Sequence, residues 1–330
     1  MILELFNTTS SKVSKEITAL RQEGGAIALG RVLTLVIVTK SGFEEEAIEA
    51  ANVASREHPC RVIVLAPGSP EEPTRLDAQI RIGGDAGASE VIVLRGRGEL
   101  ASESESLVVA LLLPDAPIVV WWTHGAPENA CQTPIGRIAH RRITDSANEA
   151  DPQRALYKLG QTYRAGDTDL AWTRLTNWRI HLAAVLDQPD SSPVTAVSVQ
   201  GASDSPSTLL LAFWLQRALG VPVTVVADPP GTGIRGVQLS LASGDIILSR
   251  PGHAIAELTK PGQPTQRISL PRRTLQDCLA EELRRLDADE VFGETIRSLG
   301  ASPVSQESRV AFTGDAEKGR DVEGLSLMTV

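Results

Sequence analysis

The sequence predicts an α/β protein: two α/β units with mostly parallel sheets, a helical bridge between them, an antiparallel meander in the second unit and a disordered C-terminal tail. Two observations predict it. Short β-branched runs that are apolar on both faces alternate with helical stretches of about 10–15 residues, the pattern of strands buried in a parallel sheet beneath covering helices. Later in the chain the alternation gives way to four short apolar runs separated by Gly, Ser and Pro turns, as in a meander. On these signals residues 1–150 form an N-terminal α/β domain, 151–190 the bridge, 191–300 a C-terminal α/β domain and 301–330 the tail.

An opening helix is expected from about Ser10 to Arg21. "RVLTLVIVT" (Arg31 to Thr39) then has strand length and β-branched content, and "FEEEAIEAANVASRE" switches to helical spacing. His58-Pro59 stops that helix, because proline disfavours helical geometry in the residue before it. "CRVIVLAP" is again a buried-strand run. The pattern repeats with "ASEVIVLRG" as strand, "SESESLVVALLL" as helix and "APIVVWWT" as strand. From Asp151 to Leu186 no strand run is visible; the stretch reads as two helices, the first with Asp151 as N-cap and Pro152 at the first helical position. "DQPDSSP" is dense in Asp, Ser and Pro, as a connection between domains would be.

The second unit opens with "VTAVSVQ" as strand, followed by a helix that Ser205 caps, Pro206 begins and Gly220 closes. "VPVTVVA" is the next strand, and "GVQLSLA", "DIILSR", "AIAELTK" and "TQRISL" form the meander. "TLQDCLAEELRRLDADEVFGETI" reads as one amphipathic helix, with Leu275, Cys278, Leu279, Leu283 and Leu286 spaced by three and four. Beyond Ala301 there is no sustained period and much polarity, hence the expected disorder.

The 330 residues carry 41 acids against 32 bases, a net charge of -9, which argues against nucleic acid or an anionic membrane surface as the main partner. The longest apolar window, "LVVALLLPDAPIVVWW", is broken by Pro114, Asp115 and Pro117, short of the ~18 apolar residues a span needs. Three cysteines, Cys60, Cys131 and Cys278, are too few for a disulfide framework and suit a reducing compartment. With no basic, apolar leader at the N-terminus, a cytoplasmic location is expected. No GxxxxGK[ST], GxSxG, CxxC or HExxH pattern occurs, and the GxGxxG string at Gly231 to Gly236 runs into the strand-like "GVQLSLA" rather than a helix, so it lacks the dinucleotide-binding context. "LRGRGE", with Arg95 and Arg97, resembles a phosphate loop only loosely. His124, Cys131 and His140 lack zinc-ligand spacing. No catalytic residue, metal or cofactor is therefore expected. "HRRITDSANEADP" (His140 to Pro152) reads as a solvated loop.

Two groups of residues stand out. On a helical wheel "DLAWTRLTNWRIHLA" places Ala171, Leu175, Trp178, Leu182 and Leu186 on one core-facing stripe. Trp172 and Arg179 fall together on its shoulder and Arg174 on the opposite flank. Trp and Arg dominate interface hot spots, so Trp172, Arg174 and Arg179 are candidate partner contacts; the competing reading is a core edge with locally paired arginines. The turn "QGASDSPST" is the candidate ligand site. It joins a strand's carboxyl end to a helix N-terminus, which offers free N–H groups to a phosphate, and Ser203, Ser205, Ser207 and Thr208 add hydroxyls. Asp204 and ordinary serine capping weigh against it.

"REHPCRVIVL", "LLLPDAPIVVWW", "RRITDS", "DLAWTRLTNWR" and "SDSPSTLLLAFWLQRALG", in that order, closely resemble the OpcA family of glucose-6-phosphate dehydrogenase assembly proteins, particularly its actinobacterial members. The resemblance runs from about Met1 to Gly300. It implies a non-catalytic partner that promotes assembly and activation of glucose-6-phosphate dehydrogenase, the NADPH-producing first step of the oxidative pentose phosphate pathway. The family supplies no catalytic residue. The alternative from the residues alone is a sugar-phosphate-binding enzyme or sensor built at Ser203 to Thr208.

Overall fold

The computed structural model describes residues 1–23, 31–83, 90–102, 104–187, 192–299 and 305–307, which form two sheets and the helices around them. The first sheet has eight strands, β1 (Ile2–Leu5), β2 (Leu33–Val38), β3 (Cys60–Leu65), β4 (Arg75–Arg81), β5 (Glu90–Arg97), β6 (Ile118–Trp122), β7 (Arg141–Thr144) and β8 (Asp167–Asp169). Their order is β1-β4-β5-β3-β2-β6-β7-β8. All six from β5 to β8 in that order run parallel, and β1 and β4 close one edge antiparallel.

Because side chains alternate across a strand, β2 sends Leu33, Leu35 and Ile37 to one face and Val36 to the other, and β6 splits Trp121 from Trp122. One face is covered by α1 (Ser10–Glu23), α3 (Glu105–Val108) and α4 (Pro134–Ile138), the other by α2 (Glu44–Ala54). The helix expected over 102–113 shortens to α3 and one tight turn: Ser104 caps it late, and Leu112, in extended backbone, ends it. Two strands, β7 and β8, fall where the sequence suggests a loop and a strand-free bridge. Their charged residues are buried and paired, which hides the strand pattern.

Next come α5 (Pro152–Thr162), α6 (Leu170–Thr173), α7 (Thr176–Leu186) and α8 (Pro206–Leu219). The second sheet contains β9 (Val194–Ala202), β10 (Val223–Asp228), β11 (Ile234–Leu241), β12 (Ile246–Ser249), β13 (Ile255–Thr259), β14 (Gln266–Ser269) and β15 (Ser305–Glu307). In the order β14-β13-β12-β11-β9-β10-β15, β9, β10 and β15 run parallel while β11 to β14 form the expected antiparallel meander. The residues expected to form the tail lie outside the described residues apart from β15. Ser205 caps α8 through Thr208 N, Pro206 begins it, and Gly220 ends it at φ 66°, a left-handed conformation that costs glycine little. Among the described residues no helix is long and apolar enough to cross a membrane.

The single helix expected from Thr274 is two, α9 (Leu275–Arg284) and α10 (Glu290–Ser298). Arg285 turns extended and Asp289 starts a new helix by accepting Phe292 N at 2.9 Å. The break sends the halves to different cores. Cys278, Leu279 and Leu283 of α9 return to the first sheet beside α2, whereas Phe292 and Ile296 of α10 join α5 to α8 over the second sheet. Within the α9 contact, burial pushes the thiols of Cys60 and Cys278 up to about 11, so both act as apolar packing rather than as nucleophiles. Leu279→Ala removes a fully buried side chain from this seam and is expected to cost about 2–5 kcal/mol in chemical denaturation, with the far-UV spectrum unchanged.

Candidate functional site

Buried charges hold the seam between the two halves. Arg141 and Arg142 of β7, expected in a solvated loop, are instead almost wholly enclosed. Arg141 donates to Glu282 of α9 through Nε at 2.9 Å and to Asp287 O at 2.7 Å, and Arg142 pairs with Asp167 of β8. Glu282 also accepts from the hydroxyls of Thr168 and Thr173, so one carboxylate ties β7, β8, α6 and α9. Asp169 caps α6, accepting Ala171 N at 2.9 Å, Ser146 N at 2.9 Å and Thr144 Oγ1 at 2.7 Å. The adjacent Asp145 receives both Nη atoms of Arg174 at 2.7 Å.

This seam sorts the candidate partner contacts. The helix expected through Trp172 breaks at Arg174 and Leu175, between α6 and α7. Trp172 is 1% exposed and donates Nε1–H to Asp289 Oδ2 at 2.8 Å, so its ring is core. Arg179 lies over that ring, Cζ 3.8 Å from the centroid, as the helical wheel places it. Both line a surface groove of about 410 Å³ that also includes Ile180, Trp214, Val291 and Arg285. Ile180 and Val291 are 58% and 46% exposed. Arg174 points elsewhere, into a separate cavity. Sequence reasoning missed Ile180, Trp214 and Val291, although Ile180 stands off the apolar stripe and marks the exposed face.

That separate cavity adjoins the turn before α8. Ser205 and Ser207 line it; Ser203 and Thr208 do not. Ser207 Oγ donates to Ala171 O at 2.8 Å, and the buried Thr208 Oγ1 has no hydrogen-bond partner. Thr208 instead packs on Gly201, where an added Cβ would fall 2.4 Å from its hydroxyl. Asp204 turns away to accept Gly231 N.

In an open parallel sheet the usual ligand crevice lies at the carboxyl ends of the strands where their order reverses, here between β2 and β6. That place is filled by the chain itself. Glu44, at the start of α2, accepts Gly42 N at 2.7 Å, and Glu45 and Glu46 follow it. The Phe43 ring rests on His124 with centroids 4.7 Å apart. Glu44 thus sits at the helix start where a dinucleotide's pyrophosphate would need free N–H groups, while the exposed Glu45 turns to Arg81. Arg95 sits near Glu44 and Arg97 pairs with Glu72, so neither forms a phosphate loop.

Comparison with known proteins agrees with the two-part architecture. Residues 51–161 match the family model described as the glucose-6-phosphate dehydrogenase subunit N-terminal domain, and residues 165–296 match that of the C-terminal domain. The OpcA protein of Synechocystis sp., assigned by name to the OxPP cycle, is 27% identical over 206 residues, covering 57% of this chain and 43% of its own length. Its namesake from Synechococcus elongatus is 29% identical over 153 residues, 42% of this chain and 34% of that protein. The chain thus spans less than half the length of these curated relatives. Among solved structures, an oxidoreductase from Sinorhizobium meliloti aligns with a TM-score of 0.48 at 11% identity, covering 82% of this chain and 95% of that one.

The Asp169 carboxyl is pushed up to about 6, by burial first and by Asp145 second. The folded state therefore holds this proton more tightly than the unfolded chain. The stability the group contributes is complete below about pH 4 and declines as pH rises to about 6. Asp169→Asn, which cannot ionise, is expected to lower the melting temperature more at pH 5 than at pH 7.5; an equal or larger loss at pH 7.5 contradicts this.

Proposed function

The chain belongs to the OpcA family, and we propose that it is a non-catalytic assembly factor that binds glucose-6-phosphate dehydrogenase and favours its active oligomer. The observation that carries this reading is the pair of successive family models, both described as parts of a subunit of that enzyme. The self-filled crevice at α2 supports it. A sheet of this kind would place chemistry there, and this chain places Glu44, Phe43 and His124 there instead. On this reading the protein works in the cytoplasm and raises NADPH supply through its partner.

Activation of this kind is a population shift. The factor must bind the active oligomer more tightly than the other forms, since equal affinity for both shifts nothing. The groove of α7 and α10 is the proposed contact. It joins exposed Ile180 and Val291 to half-buried Trp214 and the Arg179 fork stacked on Trp172; Trp and Arg are the types enriched at interface hot spots. Trp172 takes part as the rigid support beneath Arg179, and Arg174, bound to Asp145, stands apart from this groove.

The test is dehydrogenase activity from the same organism, with and without this protein, alongside the native mass of the mixture. A faster rate and a heavier joint species are expected; no change in either overturns the reading. Ile180→Asp alters an exposed position and is expected to change stability by no more than about 0.5 kcal/mol, yet to weaken association by about tenfold or more. Unchanged association moves the contact off this groove.

A further inference from the structure

The cavity beside α8 is lined by Arg174, Arg250, Arg272 and Arg273, with Ser205 and Ser207 at the helix start, and among the described residues no acidic side chain lines it. In a chain with nine more acids than bases, this concentration of guanidinium groups is a local arrangement and not the general surface. Two of the four are neutralised from outside the cavity, Arg174 by Asp145 and Arg273 by Glu281. The other two are not.

Arg250 is 5% exposed. Its Nη1 and Nη2 donate to Leu270 O and Ile234 O, each at 3.1 Å, and its guanidinium faces the Trp178 ring at 5.2 Å. These acceptors are neutral. No carboxylate among the described residues pairs with it, and the charges nearest to it, Arg272 and Arg235, are repulsive. Burial chiefly, then those two arginines, pulls its pKa down to about 10. Arg272 is likewise without a carboxylate; it donates to Thr232 O and lies over Gly233. A buried cation without a counter-charge is costly, and an anion in the cavity would offset that cost.

We propose that this cavity binds the phosphate group of a small anion, either free phosphate or the monoester of a small metabolite. Planar guanidinium forks match phosphate oxygens in pairs. The 14-residue α8 directs the positive end of its dipole toward the same space. Asp204, the acid nearest in sequence, is held away by Gly231 N. At about 240 Å³ the cavity lies below the ~300–1,000 Å³ of pockets for drug-sized ligands, which fits a small metabolite. The inference stands apart from the dehydrogenase reading, because the site is complete within this chain.

Calorimetric titration of the full chain in chloride buffer at fixed ionic strength tests it, with inorganic phosphate, glucose 6-phosphate and glucose as probes. Saturable one-to-one binding of phosphate is expected, with none for glucose. Arg272→Ala, at an exposed position, should weaken that binding about tenfold while leaving the melting temperature in chloride unchanged. Arg250→Lys, which keeps the charge and loses the fork, should weaken it as well; if that variant fails to fold, Arg272→Ala decides. Tighter binding of glucose 6-phosphate than of phosphate assigns a monoester, and equal binding assigns free phosphate. Absence of saturable binding by both phosphates, or binding that Arg272→Ala leaves unchanged, overturns the proposal.

Discussion

Glu282 is the residue on which the arrangement of the two halves depends. It sits on α9, far along the chain from the strands it joins, and accepts from Arg141, Thr168 and Thr173 at once. Taking an isolated carboxylate and guanidinium out of water costs several kcal/mol per ion. The cost is offset only where the remaining lone pairs and protons are also satisfied, and here both threonine hydroxyls and Asp287 O do so. Arg142 with Asp167 within the first sheet, Arg174 with Asp145, and the donors around Asp169 follow the same logic. Apolar packing by Leu279 and Leu283 brings α9 to the first sheet, and in this placement Glu282 meets Arg141, Thr168 and Thr173.

From that seam the two candidate surfaces follow. Arg174 lies at the junction of α6 and α7, on the flank opposite Trp172 and Arg179. Trp172 and Arg179 face the groove beside α10, and Arg174 faces the arginine-lined cavity beside α8. Asp289 belongs to both packing and surface, since it caps α10 and receives the Trp172 indole proton. At the crevice of the first sheet, Glu44 bonds back to Gly42 N and the Phe43 ring rests on His124.

Much of this was legible in the sequence. β3 is buried throughout and β2 and β6 at all but one position, so these strands are apolar nearly throughout, and α8 carries a cap, a proline and a closing glycine in their expected places. The neighbouring positions of Trp172 and Arg179 could be read from a wheel, because seven residues are about two helical turns and the junction residues Arg174 and Leu175 keep right-handed helical dihedrals. β7 and β8 were hidden by their charges. Arg141, Arg142, Asp167 and Asp169 look solvated until partners on other elements are known, above all Glu282. β4 was readable, since Leu76, Ala78 and Ile80 alternate with polar residues, but its Arg and Asp residues disguised that period. The anion cavity was not readable. Arg250, Arg272 and Arg273 come from the meander and the loop after it, and only the fold brings them to the start of α8.

A double-mutant cycle on Arg141→Met and Glu282→Leu, followed by chemical denaturation, tests the seam most directly. Each single change strands a buried charge and should cost about 3–5 kcal/mol. The double variant should cost less than the sum of the two by about 1–3 kcal/mol, because it removes both charges together. Costs that add to within about 0.5 kcal/mol would show that the pair does not hold the halves together.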